Sequence, residues 1–294
     1  MKKFLIYLIV FQFTALFVSG QPLTGTKNIP GDYSSIKNAI SSLNLNGVGV
    51  GGVIFNIAAD YKEVFTSSEA GNITTSTGSV ANPITFRKNG NGGNPLITAG
   101  PGTGDKDAIF MVSGCDFVTF DGITIRENAD NRDTDSQMEW GFAILKSSGA
   151  DGSQNIIVKN CTITLDYNNP AATGIYVNNH TASSFTQLVV TAEPGANSNL
   201  KFFSNTIENC YNGIWLNGYS GTSYFDQNNE IGIDGANLIT HIGGLDIDAY
   251  GVYANNQRDL KIANTTVTST MEGQNDVYGI YMTGAPNGSY DLFG

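Results

Sequence analysis

Four aromatic residues stand at the same place in a repeated unit: Tyr176 in GIYV, Trp215 in GIWL, Tyr253 in GVYA and Tyr281 in GIYM. An earlier copy, GFAI, has Ala143 there. Aliphatic residues flank each ring, as Ile175 and Val177 flank Tyr176. Period-two alternation marks a half-buried strand whose aliphatics turn inward and whose central residue turns outward. If the copies pair directly, the aromatics form a line spaced about 4.8 Å per strand. Rings with polar handles, set among Asn and Thr, make a platform on which sugar rings can stack. The same row also fits a cross-strand ladder that stabilises the sheet without any ligand.

Carboxylates supply two further candidates. Asp130, Asp133 and Asp135 lie in the acidic stretch from Glu127 to Glu139. Alternating carboxylates in a loop can hold Ca2+, which takes six to eight oxygens at about 2.3–2.6 Å. The glycine and final glutamate of an EF-hand are absent, and a solvated acidic loop is the plainer reading. Asp246 and Asp248 flank Ile247 in GLDIDAYG and would share one face of a strand. They could serve acid–base work, bind Ca2+, or simply blunt a strand edge with charge. Arg258 and Lys261 are the nearest basic residues in sequence, should a proton have to be taken up. Phosphate-loop, serine-elbow and Cys/His metal spacings are missing. No residue is therefore assigned as catalytic, and Ca2+ is the one cofactor these side chains would admit.

The elements that position these residues repeat along the chain. VTFDGITI (Val118–Ile125), IIVKNCTI (Ile156–Ile163), LKFFSNTI (Leu200–Ile207) and LKIANTTV (Leu260–Val267) align without gaps. Each holds two alternating apolar pairs around a turn at Gly122, Asn160, Ser204 or Asn264. The aromatic-bearing unit follows each copy after an insertion, so glycine-to-glycine spacings vary: 33 residues from Gly141 to Gly174, 39 to Gly213, and 28 from Gly251 to Gly279. A solenoid tolerates such variation because insertions map to loops; a β-propeller wants a more constant period. The spacing predicts an all-β, right-handed parallel β-helix over residues 49–294. A short helix in residues 21–48, with Ile36, Ala39, Ile40 and Leu43 on one face, would cap its first coil. Asp32 or Ser34 can start that helix. The last residues, Tyr290 to Gly294, read as entering another strand, so further C-terminal domains are expected.

Lys2 and Lys3 precede an apolar run from Phe4 to Val18, and Val18-Ser19-Gly20 offers a cleavage site. Residues 1–20 thus read as a signal peptide, giving a secreted or cell-surface protein with no membrane span after cleavage. Loss of the two lysines takes the net charge from -11 to -13. Nucleic acids need a basic footprint and are excluded as partners. Cys115, Cys161 and Cys210 are an odd set and read as small buried hydrophobes, with one disulfide plus a free thiol as the alternative.

DYSSIKNAI (Asp32–Ile40) followed by GGVIFNIAADYKE (Gly51–Glu63) resembles the opening of pectin-lyase-like β-helix proteins. NPITFRKNGNGGNPLITAG (Asn82–Gly100), followed by Asn-rich coils, is similar to large secreted surface proteins of the Bacteroidota type. Tyr61-Lys62-Glu63 is similar to an early pectin methylesterase motif. The later Asp pair with its Arg is missing, as is the polygalacturonase Gly-His-Gly, since His180 and His241 stand in other contexts. Tyr61 and Glu63 are therefore expected to be structural. The resemblance implies a β-helix that recognises a polysaccharide or surface glycan, or mediates adhesion, without catalysis. A polysaccharide lyase or glycoside hydrolase using Asp246 and Asp248, and a structural stalk, are the alternatives.

Overall fold

The computed structural model describes residues 20–244, 247–269, 275–284 and 290–293. The chain is an all-β parallel β-helix built from three long parallel sheets of nine, seven and seven strands. Seven coils contribute one short strand to each sheet, as Val118–Asp121, Thr124–Arg126 and Trp140–Leu145 do in turn, and Leu23–Ile29 and Tyr290–Phe293 add the two end strands of the first sheet. The repeated octapeptides form the first two sheets. The glycine-led units form the third.

Like stacks on like inside. Phe55, Phe86, Phe120, Val158, Phe202, Ile231 and Ile262 are in register in the first sheet, and all are buried. Phe55 and Phe86 stack at 4.6 Å, and Phe86 and Phe120 at 5.6 Å. Ile97, Ile125, Ile163, Ile207 and Ile239 repeat the pattern in the second sheet. Burial of these columns removes apolar surface from water, and each stacked aromatic pair adds about 0.5–1.5 kcal/mol.

The turn between the first two sheets is left-handed in every copy the repeat defined. Gly122, Asn160, Ser204 and Asn264 have φ of 72°, 55°, 55° and 42°. Asn and Gly enter this region at least cost, which is why they mark the turn. A second left-handed column, Phe117, Asn155, Asn199, Asn228 and Asp259, precedes the first-sheet strands. Buried amides tie the coils together at the turn between the first two sheets: Asn205 Oδ1 accepts from Cys161 N at 3.0 Å, and Asn237 Oδ1 accepts from Asn205 N at 3.0 Å.

The helix Ile36–Asn46 buries Ile36, Ala39, Ile40 and Leu43, the face expected. Its start differs from expectation. Ser35 is the N-cap and accepts from Asn38 N at 3.1 Å. Asp32 instead accepts from Asn28 N at 2.7 Å, closing the preceding turn. Glu63 adds a second cap from the second sheet, accepting from Ile36 N at 2.7 Å and Lys37 N at 3.2 Å. A carboxylate at a helix N-terminus satisfies orphan donors and meets the positive end of the dipole. Tyr61 donates to Glu63 Oε2 at 2.9 Å, so both residues have structural partners. The solenoid itself begins within residues 21–48, because Leu23–Ile29 already pairs in parallel with Val48–Ala58.

Behind the third sheet, Lys146 and Asp226 form a wholly buried ion pair at 3.1 Å. Lys146 Nζ also donates to Gly195 O at 2.7 Å, and Asp226 Oδ1 accepts from Asn197 N at 2.9 Å. The three cysteines are free and buried, and burial pushes each thiol up to about 12. No helix among the described residues is long and apolar enough to cross a membrane.

Candidate functional site

The third sheet places the aromatic positions in one row. Ala143, Tyr176, Trp215, Tyr253 and Tyr281 are register partners across five consecutive strands. A close approach fixes the strand ahead of them. A Cβ on Gly174 would lie 2.5 Å from Ile207 Cγ2, and one on Gly213 2.3 Å from Gly251 O. Only glycine lets the second-sheet isoleucines pack under this sheet. The chain bends there, and the residue before each glycine also contributes to the outer face. That second column runs Trp140, Thr173, Asn212, Tyr250 and Tyr278. Trp140 belongs to the same outer cluster as Ala143, and Tyr250 meets Tyr253 edge-on at 5.3 Å.

The rings lean in two directions. Trp215 stacks on Tyr253 at 3.8 Å with 14° between planes, and Tyr253 on Tyr281 at 5.8 Å. Tyr176 turns the other way. Its register neighbour is the small Ala143, and its ring lies flat on Trp140 at 4.2 Å and 4°. Among the described residues no ring contact joins Tyr176 to Trp215. The faces within each stack are turned on one another, so the row shows ring edges and hydroxyls to solvent rather than a run of open faces. The exception is the place where the stacks part.

There a cleft of about 190 Å3 opens between Tyr176 and Trp215. Thr173 and Asn212, the two small members of the second column, lie in it with Glu139, Asp105 and Phe185. Glu139 Oε2 accepts from Asp107 N at 2.9 Å. Burial, reinforced by the charges of Asp107 and Asp105, pushes the Glu139 carboxyl up to about 7. Among the described residues no cation lies within ion-pair distance of it. Lys106 pairs instead with Asp105 and sets its ammonium over the Phe185 ring at 4.6 Å. That contact joins two loops across the outer face. Beneath them Tyr176 donates to His180 Nε2 at 3.0 Å, while His180 Nδ1 lies 2.8 Å from Thr181 O and serves as the donor there. Burial holds His180 below its ordinary value and pushes Tyr176 up to about 12.

The other candidates lie apart. Asp130, Asp133 and Asp135 are exposed, and Asp133 Oδ1 accepts from Asp135 N at 3.2 Å within its own loop. Among the described residues no group of three or more His, Cys, Asp or Glu side chains is arranged to hold a metal ion. Asp246 lies outside the described residues. Asp248 is exposed; its charge raises the Tyr278 hydroxyl, and burial together with that charge raises the Tyr250 hydroxyl. Arg258 stacks on Phe225 at 4.4 Å and Lys261 pairs with Glu230 at 3.3 Å, so each already has a partner.

Sequence reasoning missed Trp140, Tyr250 and Tyr278. Their signal was the residue ahead of each glycine, read as a column of its own. Glu139 ends the acidic stretch in the sequence, yet in space it stands at the mouth of the strand Trp140–Leu145. Asp105, Phe185 and His180 come from insertions, which carry no periodic signal.

No protein-family model and no curated protein matches the chain. Among solved structures the chain is similar to an alginate lyase from Paenibacillus sp. str. FPU-7. The two share 13% identity over 91% of this chain and 98% of that one, with a TM-score of 0.28. A likeness of that size says nothing about activity.

Proposed function

We propose that this is an exported β-helix that binds a polysaccharide or surface glycan on the outer face of its third sheet. The observation that carries the reading is the parting of the aromatic row between Tyr176 and Trp215. A stacked ladder that served the sheet alone would gain by closing there, since each ring pair is worth about 0.5–1.5 kcal/mol. Here two rings instead flank a recess with amide, hydroxyl and carboxyl groups at its floor. The recess is smaller than the roughly 300–1,000 Å3 of sites for whole drug-sized ligands. It suits one ring of a longer chain, with the neighbouring units lying along the tyrosine edges and the Asn178–Asn217–Asn255 amide ladder.

The test is affinity electrophoresis and a glycan array with the wild type, Trp215→Ala and Tyr253→Ala. Trp215→Ala removes a wall of the recess and should weaken binding at least about tenfold, the equivalent of 1.4 kcal/mol. Tyr253→Ala, whose ring lies between two others, should weaken it less. Retained binding in both variants would refute the reading. Reducing or unsaturated ends appearing in the same incubations would mark cleavage rather than binding alone.

A further inference from the structure

We infer that the cleft between Tyr176 and Trp215 recognises an ammonium group, so that the glycan it takes is an amino-sugar polymer carrying free amines. This rests on the glycan reading above and names its substrate class.

Three observations converge on it. Aromatic walls come first: Trp140, Tyr176, Phe185 and Trp215 all line the cleft. Rings so placed attract a cation through their negative faces, and most strongly where water is scarce. The second is Glu139. Its side chain sits within the protein, takes the Asp107 N–H, and has no counter-cation among the described residues. A carboxyl so placed holds its proton up to about 7 because nothing positive repays its burial. An ammonium entering the cleft would supply the missing charge and three donors. The third is an internal precedent. Lys106 already lays its ammonium over Phe185 and against Asp105 at the rim, so the ring cluster engages a primary amine of the protein's own.

Charge over the whole molecule agrees. The cations Lys159, Lys201 and Lys261 lie on the outer side of the first sheet, each paired with an acid. The third face carries Asp105, Glu139, Asp248 and Asp276, the last accepting from Tyr278 at 3.3 Å, against Lys106, which is paired with Asp105. With a net charge of -11, the protein attracts a polycation at long range and repels a polyanion. A uronic-acid polymer would find no Lys or Arg among the residues that line the cleft to meet its charge.

The experiment is calorimetric titration of the full chain with glucosamine hexamer, N-acetylglucosamine hexamer, cellohexaose and hexalysine. Glu139→Gln accompanies the wild type, since it keeps the acceptor for Asp107 N and removes the charge. Glucosamine hexamer should bind at least about tenfold tighter than the two neutral hexamers, and Glu139→Gln should erase that preference while leaving the far-ultraviolet spectrum unchanged. Equal binding of all three sugars, or a preference that survives Glu139→Gln, overturns the ammonium assignment and leaves glycan binding standing. Hexalysine binding as tight as glucosamine hexamer overturns the sugar part. No binding by any sugar, here or on the array, defeats both readings.

Discussion

Adding one methyl group to Gly213 should destabilise the solenoid, whereas the same change at Gly279 should not. Both glycines occupy the same column of the third sheet. At Gly213 a Cβ would lie 2.3 Å from Gly251 O and 2.7 Å from Ile239 Cγ2. The first atom is backbone of the next coil, so relief requires the two strands to part. Overpacking of this kind costs about 1–3 kcal/mol. Replacing glycine by alanine also returns about 0.4–1 kcal/mol by restricting the unfolded chain. With the middle of each range, about 2 less about 0.7, the net loss is about 1.3 kcal/mol. At about 2–4 °C per kcal/mol for a large domain, the melting midpoint should fall by about 3–5 °C. At Gly279 no atom lies within 4 Å among the described residues, and only the entropic gain remains. Gly279→Ala should hold or slightly raise the midpoint. Circular dichroism melts of the two variants and the wild type decide the matter. Equal midpoints for both variants would refute the argument that coil-to-coil contact, rather than turn geometry, demands glycine in this column.

Three further outcomes follow from buried groups. Lys146→Met leaves the Asp226 carboxyl in the interior without its cation, and should lower stability by about 3–5 kcal/mol in chemical denaturation; the double variant Lys146→Met/Asp226→Leu should recover much of it. Glu139, raised from 4.5 to about 7, binds its proton more tightly in the folded than in the unfolded chain. Its contribution is thus present below pH 4.5 and is lost as pH rises towards 7, on the order of 3 kcal/mol, so Glu139→Gln should flatten that part of the denaturation-midpoint profile. Unchanged slopes would sink this assignment. The three thiols, pushed up to about 12 by burial, should ignore a thiol reagent in the native protein and react fully in denaturant.

Much of the architecture was legible because the solenoid writes its inward columns at period two. Phe120, Val158 and Phe202 align in the sequence as they stack in space. The coil around Glu230–Ile231 escaped notice for the opposite reason. Its first-sheet strand is two residues long and carries one inward side chain, too little to show alternation. The aromatic register was equally readable, since Tyr176, Trp215, Tyr253 and Tyr281 share one motif position. What no repeat could reveal was the direction in which each ring leans. That depends on the size of the coil neighbour, and on Phe185 and Asp105 arriving from loops of irregular length. The helix cap was misplaced by one residue because Asp32, Ser34 and Ser35 are all competent, and Glu63 selects among the possible starts from 27 residues away.

The small side chain of Ala143 decides where the row divides. Tyr176 can fold back over Trp140 only because that neighbouring position offers no ring of its own. In a scaffold whose backbone repeats coil after coil, this choice is independent of the interior that holds the fold together. Exchanging an aromatic and a small residue between adjacent coils would slide the opening along the axis by one strand spacing, about 4.8 Å, and leave the packed columns untouched. The outer face behaves as a movable-type surface, on which a recess can be reset one line at a time while the frame stays fixed.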